Sequence, residues 1–181
     1  MPCGSPLFGA NAIIRAICRA TPLATCCQLY GRTSCEHARV DQWLDFCEEK
    51  VDANVQEILS QLGPDAKYNP RNYDMALKNV KEVCNKLNTI MAPRTFIVGE
   101  RCTMADISLA VSLAPMFSTV LGEAERKHLI NITRWISTIM GLCPVKAVCG
   151  DLVLAAEAVA PKKPEKQKKP EKKAEKKEEK E

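Results

Sequence analysis

The stretch Phe96 to Ile107, written FIVGERCTMADI, constrains this chain more than any other. Thr103 and Asp106 have the spacing of a helix capping box, with Asp in place of the usual Glu. In such a box the Thr103 hydroxyl accepts from the backbone N–H of residue 106, and the Asp106 carboxylate reaches back to the N–H of Thr103. Cys102 and Ile107 fall at the staple positions around that cap. The helix that follows, Met104 to Val120, is apolar on nearly every side, which predicts burial in the middle of a domain. A helix that starts away from water must satisfy its own free N–H groups, and the box does so. Asp106 as a lone catalytic acid is the sharper alternative. It is disfavoured because no second carboxylate or histidine lies at a fixed nearby spacing.

The rest of the chain supplies partners for that helix. Asn11 to Ala20 reads as a short helix ended by Thr21-Pro22. Leu29 to Arg32 is a turn, and Thr33 caps a helix with Glu36 three residues on. Val40, Trp43/Leu44, Cys47, Val51, Val55, Ile58/Leu59 and Leu62 then form a helical stripe, stopped by Gly63-Pro64. Asn69-Pro70 starts a second long helix with Tyr73, Leu77, Val80, Cys84, Leu87 and Met91 inward. Joined by a short loop, the two pack as an antiparallel pair. After the central helix come a short polar helix or turn over 123–130 and a helix capped by Asn131, with Ile132, Trp135, Ile136 and Ile139 inward. Cys143-Pro144 opens a last short helix or two. The expectation is an all-α bundle of five or six helices, with Trp43, Ile107 and Trp135 in its core.

The FIVGERCTMADI stretch resembles the signature of the C-terminal helical domain of the glutathione transferase fold. By that resemblance Thr103 and Asp106 fold the domain and do not react. The segment FGANAIIRAI resembles the helix that closes the thioredoxin-like half of the same fold. The Glu/Gln-Ser pair that usually binds the γ-glutamyl end of glutathione is here Gly9 and Ala10, which have no side chain for it. The strands, cis-proline loop and active-site Ser, Tyr or Cys of that half do not precede it. The resemblance therefore implies a chain starting late in the first domain, as a fragment, a divergent copy or a short gene model. LYGRT, VDQWLDF, RTFIVGERCTMADIS and TRWISTIMG with PVKAVCGD run in the order seen in the gamma-subunit family of eukaryotic elongation factor 1. The implied layout is a thioredoxin-like remnant over 1–28, a helical domain over 29–160 and a Lys/Glu/Pro-rich tail over 161–181.

Composition excludes several other functions. The 181 residues suffice for one domain plus a tail. No apolar run is long enough for a transmembrane helix, and no secretory signal is read at the N-terminus. The ten cysteines are scattered without a Cys-x-x-Cys pair, and there are two histidines, so zinc-finger spacing is absent and no metal or cofactor is expected. Reduced structural thiols are the reading, with Cys26 and Cys27 the exposed ones. Residues 161–181 hold ten lysines and six glutamates, which is the whole net charge of +4. The neutral remainder has no bulk charge for gripping a phosphate backbone. The tail cannot bury a core and is expected to be a disordered, solvated linker, with weak ionic contact to RNA or the ribosome as its sharper reading.

By the family resemblance, the chain is a non-catalytic cytoplasmic scaffold in translation elongation. Its implied partners are the nucleotide-exchange subunits of elongation factor 1, or other glutathione-transferase-like modules. Two alternatives stand beside it: the related interaction module of an aminoacyl-tRNA synthetase complex, and a degenerate glutathione transferase. A short helix without its usual cover would also expose Ile13, Ile14 and Ile17 as an apolar patch.

Overall fold

The computed structural model describes residues 6–21, 28–63 and 68–161. The tail beyond residue 161, Cys26 and Cys27 lie outside the described residues, so the expectations placed on them are not addressed. Every regular element among the described residues is helical. In chain order they are α1 Ala10–Ala20, α2 Ser34–Phe46, a π-helical segment Cys47–Asp52, α3 Ala53–Ser60, α4 Pro70–Ile90, α5 Met104–Thr119, α6 Glu123–Arg126, α7 Ile130–Met140 and α8 Cys143–Cys149. The fold is all-α.

The centre is α5. The helices α2, α3 and α7 and the π segment all pack against it, while α4 runs beside α3 and touches α7. Its buried residues include Leu109, Leu113 and Phe117 together with Ala105, Ala110 and Ala114. Alanines let neighbouring backbones approach, and the large side chains fill the gaps that remain, so burial on several sides costs no void. Truncating a core side chain of the size of Phe117 costs about 3–5 kcal/mol in comparable cores.

The helix α2 begins as its sequence demands. The Thr33 hydroxyl accepts from the N–H of Glu36 at 3.2 Å. The reciprocal half differs: the Glu36 carboxylate takes the N–H of Arg32 at 2.7 Å instead of that of Thr33. The helix predicted through Leu62 is interrupted by the wider turns of Cys47–Asp52. An i→i+5 turn brings residues five apart together, and Asp52 Oδ1 lies 3.8 Å from Cys47 Sγ. At α4, the Asn69 side chain accepts from the N–H of Arg71, and Pro70 stands at the first position, where its missing N–H is no loss.

One local expectation is overturned by a long-range contact. Asn131 does not cap α7, which starts one residue earlier, at Ile130. Asn88 of α4 does that job instead: its Oδ1 accepts from the N–H of Asn131 at 2.9 Å and of Ile132 at 3.2 Å. The segment after Cys143 makes one helix, and residues 151–160 then run without helix as a strap across the end of α5. The N–H of Ala155 donates to the carbonyl of Phe117 at 3.0 Å, and that of Val159 to Thr119 at 2.9 Å. The strap presses so closely on Gly122 that a Cβ there would sit 3.0 Å from the N of Ala158.

Candidate functional site

The most concentrated polar group in the interior is Asp106, fully buried on the first turn of α5. Its Oδ1 accepts from the N–H of Ile97 at 2.8 Å and from the indole N–H of Trp135 at 3.1 Å. Its Oδ2 accepts from the N–H of Thr103 at 3.0 Å and from the Thr103 hydroxyl at 2.9 Å. The Thr103 oxygen also faces the N–H of Asp106, closing the box loosely, since the full-strength contact of this hydroxyl is the one it donates to the carboxylate. Burial pushes the Asp106 carboxyl above its usual range, and the four donors pull part of the way back. All four donors belong to the fold, so both carboxyl oxygens are committed to it and neither faces a cleft where a substrate could sit. This geometry ties the 96–103 loop, α5 and α7 together.

Of the three apolar positions singled out in the sequence, Trp135 lies in the core. Trp43 and Ile107 are half-buried and pack against it from outside. Trp43 stands on the rim of α2, edge-on to Phe46 with ring centroids 5.4 Å apart. The helical stripe that carries Trp43 is broad, and its inner edge is filled by Val40 and Leu44.

Cys35, Cys47, Cys84, Cys102, Cys143 and Cys149 are free thiols, and Cys18 is buried in the core. Burial pushes Cys84 up to about 12, and burial together with the Asp106 charge does the same to Cys102. Neither is a thiolate nucleophile at neutral pH. Cys47 is also raised by burial and lies 3.4 Å from the Ser112 hydroxyl. Among the described residues no His, Cys, Asp and Glu side chains gather in a metal-binding group, and no helix is long and apolar enough to cross a membrane.

Gly9 and Ala10 are exposed at the start of α1. This helix is fastened to α2 and the π segment by polar contacts. Asn11 donates to Glu48 at 2.7 Å, and Arg15 donates to Asp41 at 2.6 Å and to Asp45 at 3.0 Å. Tyr30 adds a hydroxyl donated to Asp41 at 2.7 Å. The other face of α1 is apolar and uncovered: Phe8 is 82% exposed, Ile17 52% and Ile13 41%. Ile14 does not join this patch, because it turns inward against the core. Leu7 and Phe8 extend the patch instead.

Relatives of this chain share both its sequence and its architecture. The family model of the nuclear-export cofactor Arc1p matches residues 71–142. Elongation factor 1-gamma 2 of Oryza sativa subsp. japonica is 33% identical over 156 residues, 86% of this chain and 36% of that protein. Elongation factor 1-gamma of Artemia salina is 32% identical over 131 residues, 72% of this chain and 30% of that protein. Among solved structures, the GST-like domain of elongation factor 1-gamma from Saccharomyces cerevisiae superposes with a TM-score of 0.78 at 20% identity, covering 90% of this chain and 75% of that one. Poplar glutathione transferase F1 carrying a Ser-to-Cys change superposes with a TM-score of 0.66 at 18% identity, covering 81% of this chain and 69% of that one. The chain spans about a third of the length of the elongation factor relatives it matches. The chain is thus a homologue of the elongation factor 1-gamma proteins, carrying the helical part of their glutathione-transferase-like fold.

Proposed function

We propose that this chain is a non-catalytic interaction module in translation elongation, acting in the cytoplasm as part of an elongation factor 1 assembly. Its partners in this reading are the nucleotide-exchange subunits of that assembly or related glutathione-transferase-like modules. The observation that carries the reading is the state of Asp106: the one fully buried carboxylate among the described residues accepts from four donors that belong to the fold itself. A group so engaged holds helices together and takes no part in proton transfer.

Two further features support the reading. Gly9 and Ala10 offer no carboxylate- or ammonium-binding side chain, so the glutathione subsite expected from the resemblance lacks its polar pair. The exposed Phe8, Ile13 and Ile17 give α1 an apolar face suited to burial against another polypeptide. We divide the chain accordingly into a remnant with α1 over 1–28, a helical domain over 29–160 and a charged linker over 161–181. The linker's weak ionic contact with RNA or the ribosome remains part of the proposal.

Capture from native lysate on the immobilised chain tests the reading. Recovery of the nucleotide-exchange subunits is the expected result. Recovery of aminoacyl-tRNA synthetases without them favours the synthetase-complex alternative. A turnover assay with glutathione and a chromogenic acceptor addresses the degenerate transferase, and conjugation above the uncatalysed rate would overturn the non-catalytic assignment.

A further inference from the structure

Four guanidiniums on one surface of the helical domain have no carboxylate partner among the described residues: those of Arg32, Arg39, Arg94 and Arg101. They line two adjoining clefts of about 250 and 570 Å³ that share Gly99 and Glu100. In the smaller cleft the Arg32 and Arg101 guanidiniums converge on one oxygen, Gln28 Oε1, with Arg101 at 2.6 Å. Two like charges are thus held together by a neutral amide, which neutralises neither of them. The Gln28 backbone is left-handed, with φ 54°, a conformation that costs a residue with a side chain free energy. In the larger cleft Arg39, on α2, and Arg94, in the loop after α4, stand beside Phe96 and Pro93. Gly99, with φ 68°, turns the loop between the two clefts.

We propose that these joined clefts bind a short acidic peptide segment of a partner protein, with its carboxylates on Arg32 and Arg101 at one end and on Arg39 and Arg94 at the other. A guanidinium meets a carboxylate with two parallel donors, and four such forks whose charge no internal carboxylate answers are matched by an anionic segment. The acids lining the clefts are Glu36 and Glu100, so the local excess is two positive charges against a neutral domain. That excess suits a few carboxylates. It does not suit nucleic acid, whose charge repeats along its length. Farther along α2 and the π segment come Asp41, Asp45, Glu48 and Glu49, of which Asp41 and Asp45 share the one cation Arg15, and a phosphate backbone extended that way would meet them. Glu36 and Glu100 would in turn accept peptide N–H groups. This site is independent of the assembly proposed above: it is read on the purified chain, whereas that proposal is read from lysate.

The test is fluorescence anisotropy of the full chain with fluorescein-labelled octaglutamate and, separately, octauridylate, at low ionic strength. The expected result is binding of octaglutamate that salt weakens, and loss of about tenfold or more in affinity on R39E/R94E and again on R32E/R101E. Lys146→Glu, away from both clefts, leaves it unchanged. If a charge reversal lowers the melting temperature, the milder R39Q/R94Q and R32Q/R101Q pairs are read instead, with a smaller loss in the same order. Octaglutamate binding that survives both reversals belongs to the lysine-rich tail and overturns the proposal. Tighter, arginine-dependent binding of octauridylate also overturns it, in favour of a nucleic-acid site.

Discussion

The two ends of the central helix α5 solve one problem in opposite ways. At the N-terminal end the box of Thr103 and Asp106 closes the first turn from within, with the N–H of Ile97 drawn onto the same carboxylate, and one distant group, the carbonyl of Leu29, takes the N–H of Met104 at 2.8 Å. At the C-terminal end Leu121 and the Thr119 hydroxyl meet the carbonyls of Met116 and Pro115 locally, and the carbonyls of Phe117 and Thr119 are met from far away. Ala155 and Val159 of the strap donate to Phe117 and Thr119. Arg126 of α6 lays its guanidinium on the carbonyls of Leu121 at 2.5 Å and Ala155 at 2.6 Å, placing positive charge at the negative end of the helix dipole. The lesson is that a buried helix needs both ends closed, and that here a side-chain motif carries most of the closure at one end while distant segments carry most of it at the other. Carbonyls accept and few side chains donate with reach, so the C-terminal end recruits a passing backbone and an arginine.

The comparison can be broken most sharply at the N-terminal end. Asp106→Ala strands the N–H groups of Ile97 and Thr103 and the indole of Trp135 in a dry site. At about 1–3 kcal/mol per buried orphan donor the loss is about 4 kcal/mol or more, a large part of a domain's whole stability. Urea denaturation followed by circular dichroism would register this as a largely unfolded chain or a steep fall in midpoint. The matching break at the C-terminal end is Arg126→Ala, with an expected cost of about 2 kcal/mol. A smaller fall in urea midpoint at unchanged m-value is the expected signature, because water can reach part of the strap. If the Arg126 variant lost more than the Asp106 variant, the ranking of the two ends would be reversed.

Finer changes sharpen the contrast. Thr103→Ala removes the hydroxyl but leaves the backbone half of the box, so about 1 kcal/mol is expected in the same urea experiment. The smallest effect is in pH. Asp106 is raised by burial above its ordinary value, so the folded state keeps this proton to higher pH than the unfolded chain. The stability it contributes is fully present below the unfolded value, near pH 4, and is lost as pH rises through the folded one. The stability gap between the parent chain and Asp106→Asn should therefore narrow as pH rises across that window. A gap that widens would contradict the direction assigned to Asp106.

What was legible in the sequence follows from the same physics. The box, the central helix and the two long helices were readable because caps and apolar stripes are written within a few residues of one another. Trp135 was readable as core for the same reason. Its bond to Asp106 was not, since the partners are 29 residues apart. Asn131 looked like a cap by residue type, but the helix starts at Ile130 and its first free donors, the N–H groups of Asn131 and Ile132, are taken by Asn88, 43 residues upstream of Asn131. Trp43 was placed in the core by periodicity. A stripe fixes a face, but not how far from the centre each residue of that face ends up. After Cys143 the sequence left one short helix or two open, and over 151–160 the structure has a strap. Tertiary hydrogen bonds to the end of α5 hold it there. The π segment at Cys47–Asp52 has no mark in the sequence that we recognise. In the candidate site, the missing polar pair at Gly9 and Ala10 was visible from the sequence. The arginine clefts were not, because Arg39 and Arg94 meet only through the fold.

The central claim is that Asp106 is a dry, fully engaged anchor and not a reactive group. Native-state hydrogen exchange at the amides of Ile97 and Thr103, which both donate to that carboxylate, tests it most directly. The account predicts that both exchange only through global unfolding, with an opening free energy equal to that measured by urea. Exchange of either amide through a low-energy local opening, at rates typical of a surface loop, would contradict it.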